Sequence, residues 1–306
     1  MTSTDKRNLR NGLLFASPWL VGFCCFTIYP IIMSIYYSFC RFDAITKPHW
    51  AGMENYHNLL FNDPLFWKSL WTTFYMVIFG LPTALIFALF LAILLNQKVK
   101  GLALYRTIFY LPSITPVVAS SILWMWLLNP QIGLINYVLR PILNGINTLT
   151  HLSLAVPGWL ADPHWSKPAL VLMGLWGVGN TVIIFLASLQ EVPEELYEAA
   201  LIDGAGAARK LWHITLPLIS PVIFFNLIMG IIGYFQYFTQ VWVMTRGGPE
   251  DSTAFYALYM FNNAFLFFKM GYASAMAWIL FAITLVCTLI VFKTSSKWVY
   301  YSGETK

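Results

Sequence analysis

Residue types that carry chemistry are few in this chain and, with one exception, scattered. The histidines His49, His57, His151, His164 and His213 are dispersed and lack the spacing of a metal site. Cys24, Cys25, Cys40 and Cys287 fall in or beside apolar runs, with neither ligand spacing nor a disulfide framework, so they read as apolar side chains. Gly204-Ala-Gly206-Ala-Ala-Arg209 approaches a dinucleotide fingerprint, but arginine replaces the third glycine and no strand precedes it. No phosphate-binding loop is present, so the chain should not hydrolyse ATP itself. A membrane enzyme would require a polar catalytic cluster or an intramembrane aspartate pair, and neither is found. The exception is the stretch 191–221, E-V-P-E-E-L-Y-E-A-A-L-I-D-G-A-G-A-A-R-K-L-W-H-I-T-L-P-L-I-S-P. It gathers five of the 13 acidic residues: Glu191, Glu194, Glu195, Glu198 and Asp203.

The rest of the chain must position this charged island. With 58% hydrophobic and only 10% charged residues among 306, the composition is that of a polytopic membrane protein. The net charge of +5 comes from basic residues at the ends of apolar runs; they form no patch for nucleic acid. Six stretches are apolar and long enough to cross a bilayer: 13–39, 70–95, 107–128, 168–189, 216–244 and 272–292. Prolines within them, including Pro30, Pro82, Pro112, Pro116 and Pro221, are tolerated in membrane helices as kinks. The basic start precedes an apolar run too long for a signal peptide and lacks a cleavage site, so the first stretch reads as a retained span.

Lys and Arg in alternate flanks set the orientation. Lys6, Arg7, Arg10, Lys98, Lys100, Arg106, Arg209, Lys210, Lys293, Lys297 and Lys306 fall on one side. The other side has Arg41, Lys47, Lys68, Arg140, Lys167, Arg246 and Lys269, spread over longer loops. Both termini and the island are therefore expected in the cytoplasm. Trp50, Tyr56, Trp67, Trp159 and Trp165 in the outer loops suit the interfacial belt. The apolar run 254–268 is too short for a span and predicts an interfacial or re-entrant helix.

Within the island, Pro193 suits the first turn of a helix over 193–202, and Glu194 and Glu195 complement its dipole. Leu196, Tyr197, Ala200 and Leu201 share one face, opposite the glutamates. Gly204 and Gly206 end the helix and permit a sharp turn into a second piece over 207–215. A helix, glycine turn and helix suit a plug for a groove in another protein. An amphipathic loop resting on headgroups is the other reading, although acidic residues are disfavoured beside anionic lipid.

The motif E-A-A-x-x-D-G-A-x(8)-I-x-L-P, present as Glu198, Ala199, Ala200, Asp203, Gly204, Ala205, Ile214, Leu216 and Pro217, resembles the EAA loop of permease subunits of binding-protein-dependent ABC importers. F-Y-L-P-S-I-T-P-V-V-A-S-S-I-L-W-M-W-L-L-N-P-Q-I-G-L-I-N at 109–136, T-R-G-G-P at 245–249 and M-G-Y-A-S-A-M-A-W-I-L-F at 270–281 resemble its carbohydrate branch, the maltose, lactose and glycerol-3-phosphate type. The resemblance implies an all-α polytopic bundle of six transmembrane helices with the type I importer permease fold. It implies one permease domain over 1–306, with an N-terminal helix 12–40, a core 66–294 and a cytoplasmic coupling loop 191–217. It further implies a second permease subunit, two cytoplasmic ATPase subunits, an extracytoplasmic solute-binding protein and a carbohydrate substrate. This chain would hold no cofactor, ATP and Mg being bound by the ATPases. Glu198 is expected at the ATPase contact and Gly204 at the bend.

No Asp, Glu, Lys, Arg or His falls inside the six stretches, which argues against a proton- or sodium-coupled carrier, the alternative reading together with a channel for a small neutral solute. The lack of intramembrane cations also disfavours a phosphorylated substrate. On the fifth stretch Asn226, Gly230, Gly233, Tyr237 and Gln240 lie within about 40° of one line. Asn180 joins Gly174, Gly177 and Gly179 on the fourth. Amides and aromatic rings over small residues suit a sugar; the same residues also suit helix packing, with amides bridging helices.

Overall fold

A computed structural model describes residues 2–97, 100–150 and 153–300, so Lys98, His151 and Lys306 lie outside the described residues. Among the described residues the fold is helical apart from one antiparallel pair, in which Cys40 faces Trp50 and Arg41 faces His49. Four helices among the described residues are long and apolar enough to span a membrane: Thr4–Ser38, Pro64–Leu95, Ala207–Met244 and Met270–Ser295. Two further stretches are bent pairs, Leu102–Ile114 with Val117–Leu127 at 100° and Pro163–Trp176 with Gly179–Gln190 at 50°. With each pair counted as one span, the number is the expected six.

The chain divides into two compact units. One gathers the residues up to Pro64 with Met260–Phe281; the other gathers Leu65–Tyr259 and the chain from Ala282 onward. In the first unit the opening helix reaches back beyond the apolar run, through Lys6, Arg7 and Arg10. A capping box accounts for the early start: Asp5 N–H donates to Thr2 Oγ1 at 3.3 Å and Thr2 N–H to Asp5 Oδ2 at 2.9 Å. At its other end Asn55 Nδ2 donates to the carbonyls of Ser38 and Cys40, each at 2.9 Å, and satisfies groups the ending helix leaves free. Gly271 packs so tightly on the Cys40 carbonyl that a Cβ would collide with it. In the exposed loop between the strands, Asp43 accepts from Thr46 N–H at 2.7 Å and Thr46 Oγ1 at 2.8 Å. These bonds hold its carboxyl below the ordinary carboxylate range.

The second unit has two apolar clusters. One joins Ala88, Leu91, Ala92 and Leu95 of the second span to Val182, Phe185, Leu186 and Leu189, with Val192 and Ile219. Ala88 and Ala92 are fully buried, the small side chains that allow close helix approach in a bilayer. The other cluster joins Met76, Trp124, Leu128, Trp159, Leu170, Met173, Val241, Phe255 and Leu258.

Three expected spans are interrupted. Thr115, forced out of the helical region by the following Pro116, is extended at φ −68, ψ 130, and the third span bends there. The fourth begins earlier than expected, at Pro163, where the Asp162 carboxylate accepts from His164 N–H at 2.8 Å. It breaks at Gly177 and Val178. The helix Leu216–Phe235 stops before Gln236 and resumes as Thr239–Met244. The run 254–268 yields a helix Tyr256–Phe261 and a π-helical turn Asn262–Leu266. Its first part is core rather than interface, because Phe255, Tyr256 and Leu258 are buried and Tyr256 N–H donates to Thr73 Oγ1 at 2.9 Å.

Candidate functional site

Two sites emerge in the second unit, a projecting island and a half-open cavity. Val192, buried in the cluster with Leu189 and Ile219, fixes where the chain leaves the bundle. Pro193 then caps Glu194–Ile202, with Glu194 and Glu195 in the first turn at the positive end of the helix dipole. Two bonds close this helix: Ala205 N–H donates to Ala200 O at 2.8 Å and Gly204 N–H to Leu201 O at 3.0 Å. They require a left-handed residue between them, and Gly204 supplies it at φ 73. Nothing lies within 4 Å of a Cβ built there, so backbone conformation, not space, selects glycine. Ala200 and Ala205, the ends of the shorter closing bond, are half-buried, whereas Glu198, Ala199, Asp203 and Gly204 are exposed.

Extended Gly206 leads into Ala207–Lys210 and a π-helical turn Leu211–Thr215, which runs directly into Leu216–Phe235 with Pro217 in its first turn. The island is anchored where the Tyr197 hydroxyl meets Thr215 Oγ1 at 2.8 Å. Tyr197, Ile214 and Leu216 also pack against the cluster containing Val192 and Ile219. The expected apolar face is thus divided. Tyr197 and Ala200 are partly covered, while Leu196 is 43% exposed and Leu201 59%; Ile202, which was not part of that face, is 88% exposed. The result is a Pro-capped, glycine-stopped helix held at its base and apolar and exposed at its tip.

The second site is a cavity of about 350 Å³. Its lining comes from the three interruptions: Ser113 and Thr115 at the first, Gly174 and Gly177 at the second, Tyr237 and Gln240 at the third. Irregular backbone is tolerated at membrane depth where it faces such a cavity. The Tyr234 and Tyr237 rings stack with centroids 6.1 Å apart and planes 8° apart. Ser113 donates to Tyr110 O at 2.7 Å and Ser120 to Val117 O at 2.9 Å, which leaves their oxygens available as acceptors. Among the described residues no carboxylate or basic side chain lines the space. Neutral hydrogen-bonding groups around an aromatic pair can hold a polyhydroxylated solute without demanding charge from it.

The family model of the binding-protein-dependent transport system inner membrane component matches residues 62–300. The chain belongs to this family. A relative described as the probable ABC transporter permease protein YesP of Bacillus subtilis (strain 168) is 42% identical over 99% of this chain and 95% of its own length. The lactose transport system permease protein LacF of Rhizobium radiobacter is 32% identical, covering 95% of this chain and 98% of its own. A chain of a bacterial alginate ABC transporter, solved in complex with an alginate pentasaccharide-bound periplasmic protein, superposes with a TM-score of 0.75. That match covers 95% of this chain and 96% of the other at 22% identity and establishes the shared permease fold. The protein is a multi-pass inner membrane component of a transport system, and its family consists of permeases rather than enzymes.

Within this permease the residues singled out by sequence divide. All nine positions of the loop motif fall on one continuous feature, from Glu198 on the short helix to Pro217 at the start of the fifth span. Of the four residues expected along a solute path, Tyr237 and Gln240 meet in the cavity. Asn226 is buried and donates to Val222 O of its own helix at 2.9 Å, while Asn180 is exposed and outside the lining. The two roles weighed for the glycines separate by position. Both Gly230 and Gly233 line the cavity, but Gly230 also serves packing, since a Cβ there would collide with the Leu81 side chain, whereas Gly233 has open space around it. Tyr234, Ser113, Thr115 and Ser120 were not among the expected residues; the signal for the last three was the pair Pro112 and Pro116, which breaks the third span beside them.

Proposed function

We propose that this permease forms, with a second and different permease subunit, the alternating-access pathway of an ATP-driven importer for a sugar or oligosaccharide. Two ATPase subunits bind ATP and Mg on the cytoplasmic side, where both termini and the island lie, and a solute-binding protein delivers substrate from outside. The observation that carries the coupling role is the island helix Glu194–Ile202, stopped by left-handed Gly204 and exposed at Leu201 and Ile202. Glu198 and Asp203 give the tip its charged edge, and the helix seats in a recess of one ATPase. Closure of the ATPase pair on ATP draws the islands of the two permeases together and switches the bundle between two rigid arrangements. The single permease domain carries no catalysis.

The carbohydrate assignment draws on the lactose permease similarity and on the uncharged cavity with its stacked tyrosines. Tyr234 and Tyr237 offer an apolar surface to a pyranose face, and Gln240, Ser113 and Thr115 offer partners to its hydroxyls. The test is reconstitution in vesicles with radiolabelled sugar. Uptake is expected only when both permeases, the ATPases, the binding protein and ATP are present together. Uptake by this chain alone, with or without an ion gradient, would replace the importer reading by a channel or secondary carrier.

A further inference from the structure

Between Leu102–Ile114 and Gly179–Gln190 lies a crevice of about 290 Å³ that neither the island nor the neutral cavity uses. It is closed where Gly179 meets the other helix: a Cβ there would stand 2.9 Å from both Phe109 O and Ser113 Oγ. From Gly179 it extends toward Gln190, a distance of roughly 16 Å at helical rise. Phe109, Val182, Ile183 and Leu186 line its length. Its far end collects Leu95 and Gln190, the last residues of their helices, and Arg106 near the start of another. Chain ends of spanning helices lie at headgroup level, so this end of the crevice faces the polar layer of the bilayer.

Arg106 is incompletely satisfied. Its Nη2 donates to Leu95 O at 3.3 Å, while its Nε is buried and has no partner among the described residues. Among the described residues no carboxylate lines the crevice. A guanidinium with an unused buried donor calls for an anionic oxygen, and the apolar slot beyond it calls for a hydrocarbon chain. The volume is close to the lower limit of ligand-sized cavities, roughly 300 Å³, and so admits one chain rather than two. Free phosphate satisfies the arginine but leaves the slot empty.

We propose that this crevice binds one anionic phospholipid, its phosphodiester oxygens against Arg106 and the Gln190 amide, and one acyl chain directed toward Gly179. Basic pockets between membrane helices are the usual receptors of such headgroups. The site is independent of which solute is transported, and its occupancy is read without any transport assay.

The assembled importer, purified in detergent, is titrated with phosphatidylglycerol, with phosphatidylcholine and with inorganic phosphate, and bound lipid is counted by native mass spectrometry. Phosphatidylglycerol should be retained about 10-fold more tightly than phosphatidylcholine, the effect of one charge-assisted contact. Arg106→Gln should erase that preference and Arg106→Lys should keep most of it. Ala187→Trp, on the exposed lip, should displace the lipid while leaving the arginine in place. Should Arg106→Gln fail to insert, Ala187→Trp decides alone. Unchanged retention in these variants overturns the site. Competition by inorganic phosphate as effective as that by phosphatidylglycerol makes it an anion site and overturns the lipid. Absence of any preference in the assembled importer means that another subunit covers the crevice, and that too overturns the proposal.

Discussion

In the island, one glycine in the left-handed region decides where a helix stops; in the cavity, helices stop three times and no stop depends on a positive φ. The two regions belong to the same unit, yet the island is assembled from consecutive residues and the cavity from segments more than a hundred positions apart. The island meets the bundle through the Tyr197–Thr215 hydroxyl pair and apolar contacts, and Leu201 and Ile202 at its tip are exposed. The cavity is surrounded by packed helices, with Tyr237 against Phe255 at 5.3 Å and Tyr234 beside Gly80. A projecting element can be built locally and left exposed. A cavity lining has to be built from distant parts and braced.

The sharpest way to break that comparison is Gly204→Val. A side chain in the left-handed region costs an L-residue roughly 1–2 kcal/mol, and a β-branched one more, even though open space surrounds Gly204. The helix stop is expected to shift, uptake to fall by about 10-fold or more, and ATP hydrolysis to continue in the inserted complex. Gly204→Asn, which tolerates the left-handed region, should lose much less. Normal uptake by the valine variant at normal expression would remove the coupling role from this turn.

Gly230→Ala tests the other region through stability. Its Cβ collides with Leu81, itself buried, and overpacking of that kind costs roughly 1–3 kcal/mol. Thermal unfolding in detergent should occur several degrees lower, and Leu81→Ala in the same chain should restore part of the loss. The ratio of solute moved to ATP hydrolysed should not change. A changed ratio with unchanged unfolding would show that the cavity, too, participates in coupling.

Gln240→Ala carries a smaller expectation. It removes one hydrogen-bonding group from the cavity lining without opening the core, so the half-saturation concentration for uptake should rise by roughly 3- to 10-fold, the worth of about one hydrogen bond. Unfolding temperature and binding-protein affinity should stay as they were. An unchanged half-saturation concentration would place the solute path elsewhere.

These contrasts also explain what could be read in the amino-acid order. The island was legible because its signals are local: proline before the helix, acids in its first turn and glycine after its end each act within a few residues. Its outer face was not, since Leu201 and Ile202 follow helical periodicity into solvent where none of the described residues covers them. Six apolar stretches were legible by length, but the 100° bend was not: Pro112 and Pro116 announce a kink, and its size depends on the packing around it. Tyr237 and Gln240 reached the cavity for a reason other than the one that singled them out. The sequence places them on a single helical line, whereas Leu216–Phe235 ends before both, and the interruption brings them to the cavity with Tyr234.

The smallest effect tests how firmly the island is tied to the fifth span. Tyr197→Phe deletes the hydroxyl that meets Thr215 Oγ1 at 2.8 Å and leaves the ring packed as before. Thr215 is buried, and its remaining bond, to Lys210 O, is long at 3.4 Å. The cost should be about 1 kcal/mol, because a partner is removed without opening a cavity. If the hydroxyl pair transmits movement of the helix into the span, the ratio of uptake to hydrolysis should fall by roughly 2- to 5-fold, a shift of that same size in the coupled state. Thr215→Val alone should lose a similar amount, and the double variant should lose little more than either single one, since both remove the same bond. Fully additive losses would mean that the two hydroxyls act separately, and that the helix is joined to the span through apolar packing alone.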